Sequence, residues 1–131
     1  MQRIAKAADL RKDDHVLEVG PGLGSLTEHL LQEVNELTVI EKDKRLASHL
    51  DEKFKNKQKF RLIHNDALKY FENIEVDWSA WKMVSNLPYN VASPLLVDLA
   101  SMPNGPQRLV VTVQMEVGQR LNAKPSTREY S

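Results

Sequence analysis

The sequence predicts an α/β domain built on a doubly wound, mostly parallel sheet, and three observations predict it. Apolar periodicity alternates in regular order between short strand-like runs and amphipathic helical stretches. The strand-like runs are apolar almost throughout, as expected of strands covered on both faces. A glycine-rich turn, Gly20-Pro-Gly-Leu-Gly24, stands where the first run meets the first helical stripe.

Five strands are expected, over residues 15–19, 37–41, 60–64, 82–86 and 108–114. Between the first two, Leu26, Leu30 and Val34 recur every four residues and set an apolar stripe on one helix face. Leu46, Leu50 and Phe54 repeat this in a second helix, for which Asp43 is the expected N-cap. A short helical segment, 67–71, follows the third strand. A further helix is expected to start near Ser93, because Ser-Pro suits an N-cap and first helical position, and to stop at the Met-Pro-Asn-Gly-Pro cluster of 102–106. After the fifth strand, 116–121 could form a short helix, whereas 122–131 has no apolar period.

The chain has 131 residues, 18 basic and 18 acidic side chains, 41% hydrophobic residues and no cysteine, which suits one domain. Without cysteine there is no disulfide framework, thiolate zinc site or cysteine nucleophile, and His15, His29, His49 and His64 are too scattered to suggest a metal cage. Balanced charge means that any nucleic-acid contact must come from a local patch. The first ten residues carry no apolar targeting core and no run approaches the ~18 apolar residues of a membrane span. A cytoplasmic protein with no metal and no membrane partner is expected. The flat, uncharged strand Leu109-Val-Val-Thr-Val113 would leave an open sheet edge, so the chain is expected to be a fragment of a longer protein or to self-associate through that edge.

Candidate site residues fall just after predicted strands, where open α/β sheets bind their ligands. Gly20 and Gly22 would let the backbone turn tightly against a ligand, and Gly24 would let the helix pack closely on the strand. The spacing misses the dinucleotide fingerprint, whose third glycine would stand at Ser25, and no Gly-Lys-Ser/Thr follows for a P-loop. A purely structural turn remains open. Glu41, with Lys42 beside it, ends the second strand about 20 residues past Gly20, the position that takes ribose hydroxyls in nucleotide-binding sheets. Asp66, in Asn65-Asp66-Ala67, could accept from an adenine amine, cap the following helix, or do both. Glu18 could hold the amino group of an amino-acid tail. Three acids around one glycine turn would repel phosphates and suit a cationic ligand without phosphates, such as S-adenosylmethionine.

Asn86-Leu87-Pro88-Tyr89, expected to lead from the end of the fourth strand into a loop, carries the most specific chemistry. An adenine N6 amine is a poor nucleophile because its lone pair is delocalised into the ring. A side-chain oxygen from Asn86 and a backbone carbonyl near Leu87 or Pro88 could accept its protons and favour the pyramidal amine that attacks a methyl group. Pro88 stiffens the segment without adding a donor. Tyr89 offers a face on which an extruded base can stack, worth ~1–3 kcal/mol. Catalysis would rest on in-line positioning rather than on a strong base.

Taken together, these residues resemble the ribosomal RNA adenine N6-dimethyltransferase family, small-subunit dimethyladenosine transferases in particular. The resemblance runs through Glu18-Val-Gly-Pro-Gly-Leu-Gly24, Glu41, Asn65-Asp66-Ala67, Asn86-Leu-Pro-Tyr-Asn-Val-Ala-Ser-Pro94 and Gln114-Met-Glu-Val-Gly-Gln-Arg-Leu121. It implies a Rossmann-like S-adenosylmethionine-dependent core in which the Gly20 turn lines the methionine part, Glu41 the ribose and Asp66 the adenine, with Asn86 to Tyr89 on the target base. It also implies dimethylation of two adjacent adenosines near the 3′ end of small-subunit ribosomal RNA during ribosome assembly. The family's segment before the first strand and its helical RNA-binding domain after the sheet have no counterpart, so 1–131 is expected to be a partial catalytic domain. Two alternatives are a non-catalytic RNA-binding, assembly or transcription factor on the same fold, and a large-subunit methyltransferase of the macrolide-resistance type. For RNA contact the candidates are the cluster Lys53, Lys55, Lys57, Lys59 and Arg61, otherwise a solvated helix end, and Lys124 with Arg128.

Overall fold

The computed structural model describes residues 6–73 and 77–114. Strand β1 (His15–Val19) runs through the glycine turn into α1 (Ser25–Glu33), and β2 (Glu36–Glu41) leads to α2 (Lys44–Phe54). Then follow β3 (Phe60–His64), α3 (Ala67–Asn73), β4 (Trp81–Pro88), α4 (Tyr89–Ser101) and β5 (Arg108–Gln114). The strands pair in parallel in the order β3-β2-β1-β4-β5. The chain therefore starts at the centre, builds outward to β3, and returns to the other side of β1. That reversal puts the switch point between β1 and β4, where a crevice opens past the carboxyl ends of the strands.

Strand alternation explains why the runs are apolar throughout. On one face Val16, Leu37, Val39 and Val84 meet the α1 stripe of Leu26, Leu30 and Val34. On the other, Leu17, Ile40, Met83 and Leu87 meet Phe71, Leu95 and Leu99 of α3 and α4. Neighbouring residues of one strand thus enter opposite cores. Truncating a fully buried member such as Leu30 or Leu95 to alanine costs about 2–5 kcal/mol.

At the amino end of the sheet, Lys82 Nζ donates to Asp14 Oδ2 and to the Asp9 carbonyl, each at 2.8 Å. The Lys82 and Asp14 side chains are only 9% and 15% exposed. Burial by itself would raise the Asp14 carboxyl pKa, but the bonds from Lys82 and Arg11 outweigh it and hold the group below the usual carboxylate range.

The strands and the Asp43 cap follow the sequence pattern; Asp43 Oδ1 accepts from the backbone of Arg45 and Leu46. Two expectations are corrected. Leu87 and Pro88 are not a loop: they carry β4 past Asn86, and the three residues pair with Thr112, Val113 and Gln114 of β5. Consequently α4 starts at Tyr89 with Pro88 as its N-cap, four residues before Ser93, and Pro94 lies inside the helix. The extended backbone of Pro88 presets the helix entry, and at Pro94 the missing donor withholds a single bond, the one to the Asn90 carbonyl. The C-cap falls at Met102, as expected. Segments 116–121 and 122–131, with Lys124 and Arg128, lie outside the described residues, and so does most of the Gln114–Leu121 motif. Among the described residues β5 pairs only with β4, and no helix is long and apolar enough to cross a membrane.

Candidate active site

The site arises where the β1·β4 ladder ends. The two strands are in register only up to Leu17 opposite Met83. Beyond this the Val19 N–H donates to the Ser85 hydroxyl at 2.8 Å, and the strand ends part. On the other side the alignment continues: Gly20 N–H reaches the Ile40 carbonyl at 2.9 Å and Asn65 N–H the Glu41 carbonyl at 3.0 Å. Gly20, Glu41 and Asn65 thus follow one another along one side of the crevice, with Asn86 across it.

Two cavities of about 270 Å³ each share Gly20 as a common wall. Glu41, Lys42, Asp66, Ala67, Leu87 and Pro88 line the first. Glu18, Gly22, Leu23, Ser25, Leu26 and Asn86 line the second. The sequence-predicted residues are therefore gathered on both sides of the glycine turn, with two exceptions: Gly24 and Tyr89 line neither cavity. Asn90, Val91 and Pro94 of α4 also line the first cavity; the expected helix start at Ser93 left Asn90 and Val91 outside the helix, and none of the three was singled out for the site.

Glu41 is only 7% exposed. Its Oε2 accepts from the Asp43 N–H at 2.9 Å, and Oε1 has no partner among the described residues. Asp66 caps the following helix, its Oδ1 accepting from the Lys69 N–H at 3.2 Å, while Oδ2 lies 4.0 Å from Lys42 Nζ at the cavity wall.

Glu18 is 1% exposed, and its Oε1 accepts from the buried Thr27 hydroxyl at 2.5 Å. Burial drives its pKa up to about 8, the Glu41 charge pushes the same way, and the Thr27 bond opposes them. Thr27, one helical residue past Leu26, had no sequence signal beyond its place in the first turn of α1.

Gly22 adopts φ +61°, and a Cβ there would meet nothing within 4 Å, so the backbone faces open space. Gly24 has φ +94°, and a Cβ would press on Leu50 and Phe54 at 3.0 Å. It therefore permits close packing of α1 on α2, not of helix on strand as expected from the sequence, because α2 leans against the start of α1. Lys53 fastens the same contact by donating to the Leu23 carbonyl at 3.2 Å.

Asn86 Oδ1 accepts from the Thr112 hydroxyl at 2.9 Å. Tyr89, in the first turn of α4, is 47% exposed and stands outside both cavities. Of the basic cluster, Lys53 is engaged as described, Lys55 pairs with Glu52 at 2.8 Å and Lys59 donates to Asn35 Oδ1 at 3.1 Å. Much of its charge is thus committed inside the chain. Among the described residues no group of His, Asp or Glu could hold a metal ion.

The model of the ribosomal RNA adenine dimethylase family matches residues 1–131. The chain belongs to this family. The ribosomal RNA small subunit methyltransferase A of Clostridium acetobutylicum is 41% identical over 128 residues, covering 97% of this chain and 46% of the relative. The dimethylase chain therefore spans about half the length of that protein. Among solved structures, a dimethyladenosine transferase from Plasmodium falciparum superposes with a TM-score of 0.71 at 27% identity, over 94% of this chain and 44% of the other. The 23S rRNA methyltransferase ErmE gives 0.69 at 28% identity, over 98% and 50%. These likenesses agree with the Rossmann-like α/β sheet derived above.

Proposed function

We propose that this member of the dimethylase family is the S-adenosylmethionine-binding and catalytic part of an enzyme that converts two adjacent adenosines near the 3′ end of small-subunit ribosomal RNA to N6,N6-dimethyladenosine, in the cytoplasm, during ribosome assembly. The observation that carries the reading is the meeting of two cavities at Gly20, with carboxylates on both sides and the Asn86 amide on the wall of the second. Glu41 and Glu18 are buried, and among the described residues no cation is bonded to either. That donor set fits a ligand that is cationic and rich in hydroxyl and amine donors.

In this reading Glu41 Oε1 accepts from the ribose diol and Asp66 Oδ2 from the adenine amine, with Ala67, Leu87 and Pro88 packing on the ring. The second cavity takes the amino-acid end: Gly20 and Gly22 allow close backbone approach, and Glu18 accepts from the ammonium group. When bound, S-adenosylmethionine supplies a methyl group activated by a sulfonium. Asn86 Oδ1 and a carbonyl at Leu87 or Pro88 accept from the target N6 amine and hold it in line. Tyr89 stands beyond the cavities, where a base drawn out of its helix would stack. In the whole protein, the helical RNA-binding domain that the resemblance implies would add further RNA contacts to these.

Incubating the protein with methyl-labelled S-adenosylmethionine and immature small or large subunits, then mapping the modified base, tests the proposal. Dimethyladenosine is expected in the small subunit, with loss of about 100-fold or more in rate for Asn86→Ala. Label on the large subunit would favour the activity named for ErmE, and label on neither, with RNA still bound, would favour a non-catalytic assembly factor. The 41% identity to a small-subunit methyltransferase favours the first outcome.

A further inference from the structure

Thr112 interrupts an apolar strand. Its neighbours Val110 and Val111 are buried, and Val113 packs against the core below α4. Valine has the same shape, so a hydroxyl at this half-buried position costs free energy unless it is bonded. Its partner is Asn86: the two residues stand directly opposite in the β4·β5 register, and Oγ1 donates to Oδ1 at 2.9 Å.

We infer that Thr112 is a positioning residue that fixes the orientation of the Asn86 amide for methyl transfer. The inference rests on the function proposed above. An asparagine side chain has a broad, nearly two-fold terminal torsion and can present either its oxygen or its NH2 group. Presented to an adenine amine, the NH2 group sets donor against donor. The Thr112 hydroxyl anchors the oxygen from the β5 side. A carbonyl oxygen has two lone pairs, so one remains for the amine, strengthened as an acceptor by the first bond. Thr112 lines neither cavity, so cofactor contacts do not depend on it.

The test compares Thr112→Val and Thr112→Ser in the natural protein. Thr112→Val should lower kcat about tenfold with the KM for S-adenosylmethionine unchanged, and Thr112→Ser should restore the rate. The Asn86 side-chain amide resonances, assigned by their absence in Asn86→Asp, should shift and exchange faster with solvent in the valine variant and return toward the original in the serine variant. An unchanged kcat in Thr112→Val, an equal loss in cofactor affinity, or no recovery with serine would overturn the inference. If the unsubstituted protein methylates no adenosine, the proposed function fails by itself. The amide resonances then decide the Thr112 bond, and unchanged signals in Thr112→Val overturn it.

Discussion

The two ends of the sheet treat buried charge in opposite ways. At the amino end Lys82, Asp14 and the Asp9 carbonyl satisfy one another largely out of solvent. At the carboxyl end Glu18 and Glu41 are as deeply placed, yet their partners are a hydroxyl and a backbone N–H. Burial raises the Glu18 pKa, and the nearby Glu41 adds to it, so a charge on Glu18 is costly there. The contrast teaches that polar groups at one end satisfy one another within the fold, while at the other they are left open, as the proposed ligand site requires.

The largest effect that could break this comparison lies at the amino end. Asp14→Asn leaves Lys82 buried without its counter-charge, and should destabilise the chain by about 3–5 kcal/mol in denaturant unfolding. Cofactor affinity of the molecules that remain folded should be unchanged. A loss below ~1 kcal/mol would mean that this end is not the stabilising one.

An intermediate effect is expected for Glu41→Gln. It exchanges a charged acceptor for a neutral one at the first cavity and should weaken S-adenosylmethionine binding about 10- to 100-fold by calorimetry. Stability should hold or rise slightly, because a buried negative charge beside Glu18 is removed. A fall in stability without a change in affinity would place Glu41 with the structural group.

The effect that is smallest at any one step of pH is a slope. The Glu18 carboxyl keeps its proton up to about pH 8 in the fold, against a usual value of 4.5. Between those values the folded state binds more protons than the unfolded one, so stability falls as pH rises. The contribution is whole below 4.5 and lost as pH passes through about 8. The slope from this one group is at most about 1.4 kcal/mol per pH unit. Glu18→Gln should lack it, so the variant gains on the original protein as pH increases. Parallel stability curves from pH 4.5 to 8 would show that the carboxyl is not held protonated.

Much of the site could be read in the chain because its signals are local. A strand, a positive-φ turn and an acid at a strand end are each written in a few consecutive residues, so Gly20, Gly22, Glu41 and Asp66 were found at the cavities where they were expected. The misreadings concern choices made between segments. Ser93-Pro94 carries a sound capping signal, but strand pairing carries β4 through Pro88 and helix α4 begins immediately after it. Gly24 was assigned to the wrong neighbour for the same reason, since only the lean of α2 brings Leu50 and Phe54 against it.

By itself the sequence determined the alternation of strands and helices, the glycine turn and the set of acids that follow the strands. These depend on side-chain periodicity and backbone freedom within a few residues. Only the tertiary structure decided which strand lies beside which, and with it the splay at Ser85, the protonation of Glu18 beside Thr27 and the bond from Thr112 to Asn86. Those features depend on register and burial between residues far apart in the chain, and neither exists until the sheet has closed around them.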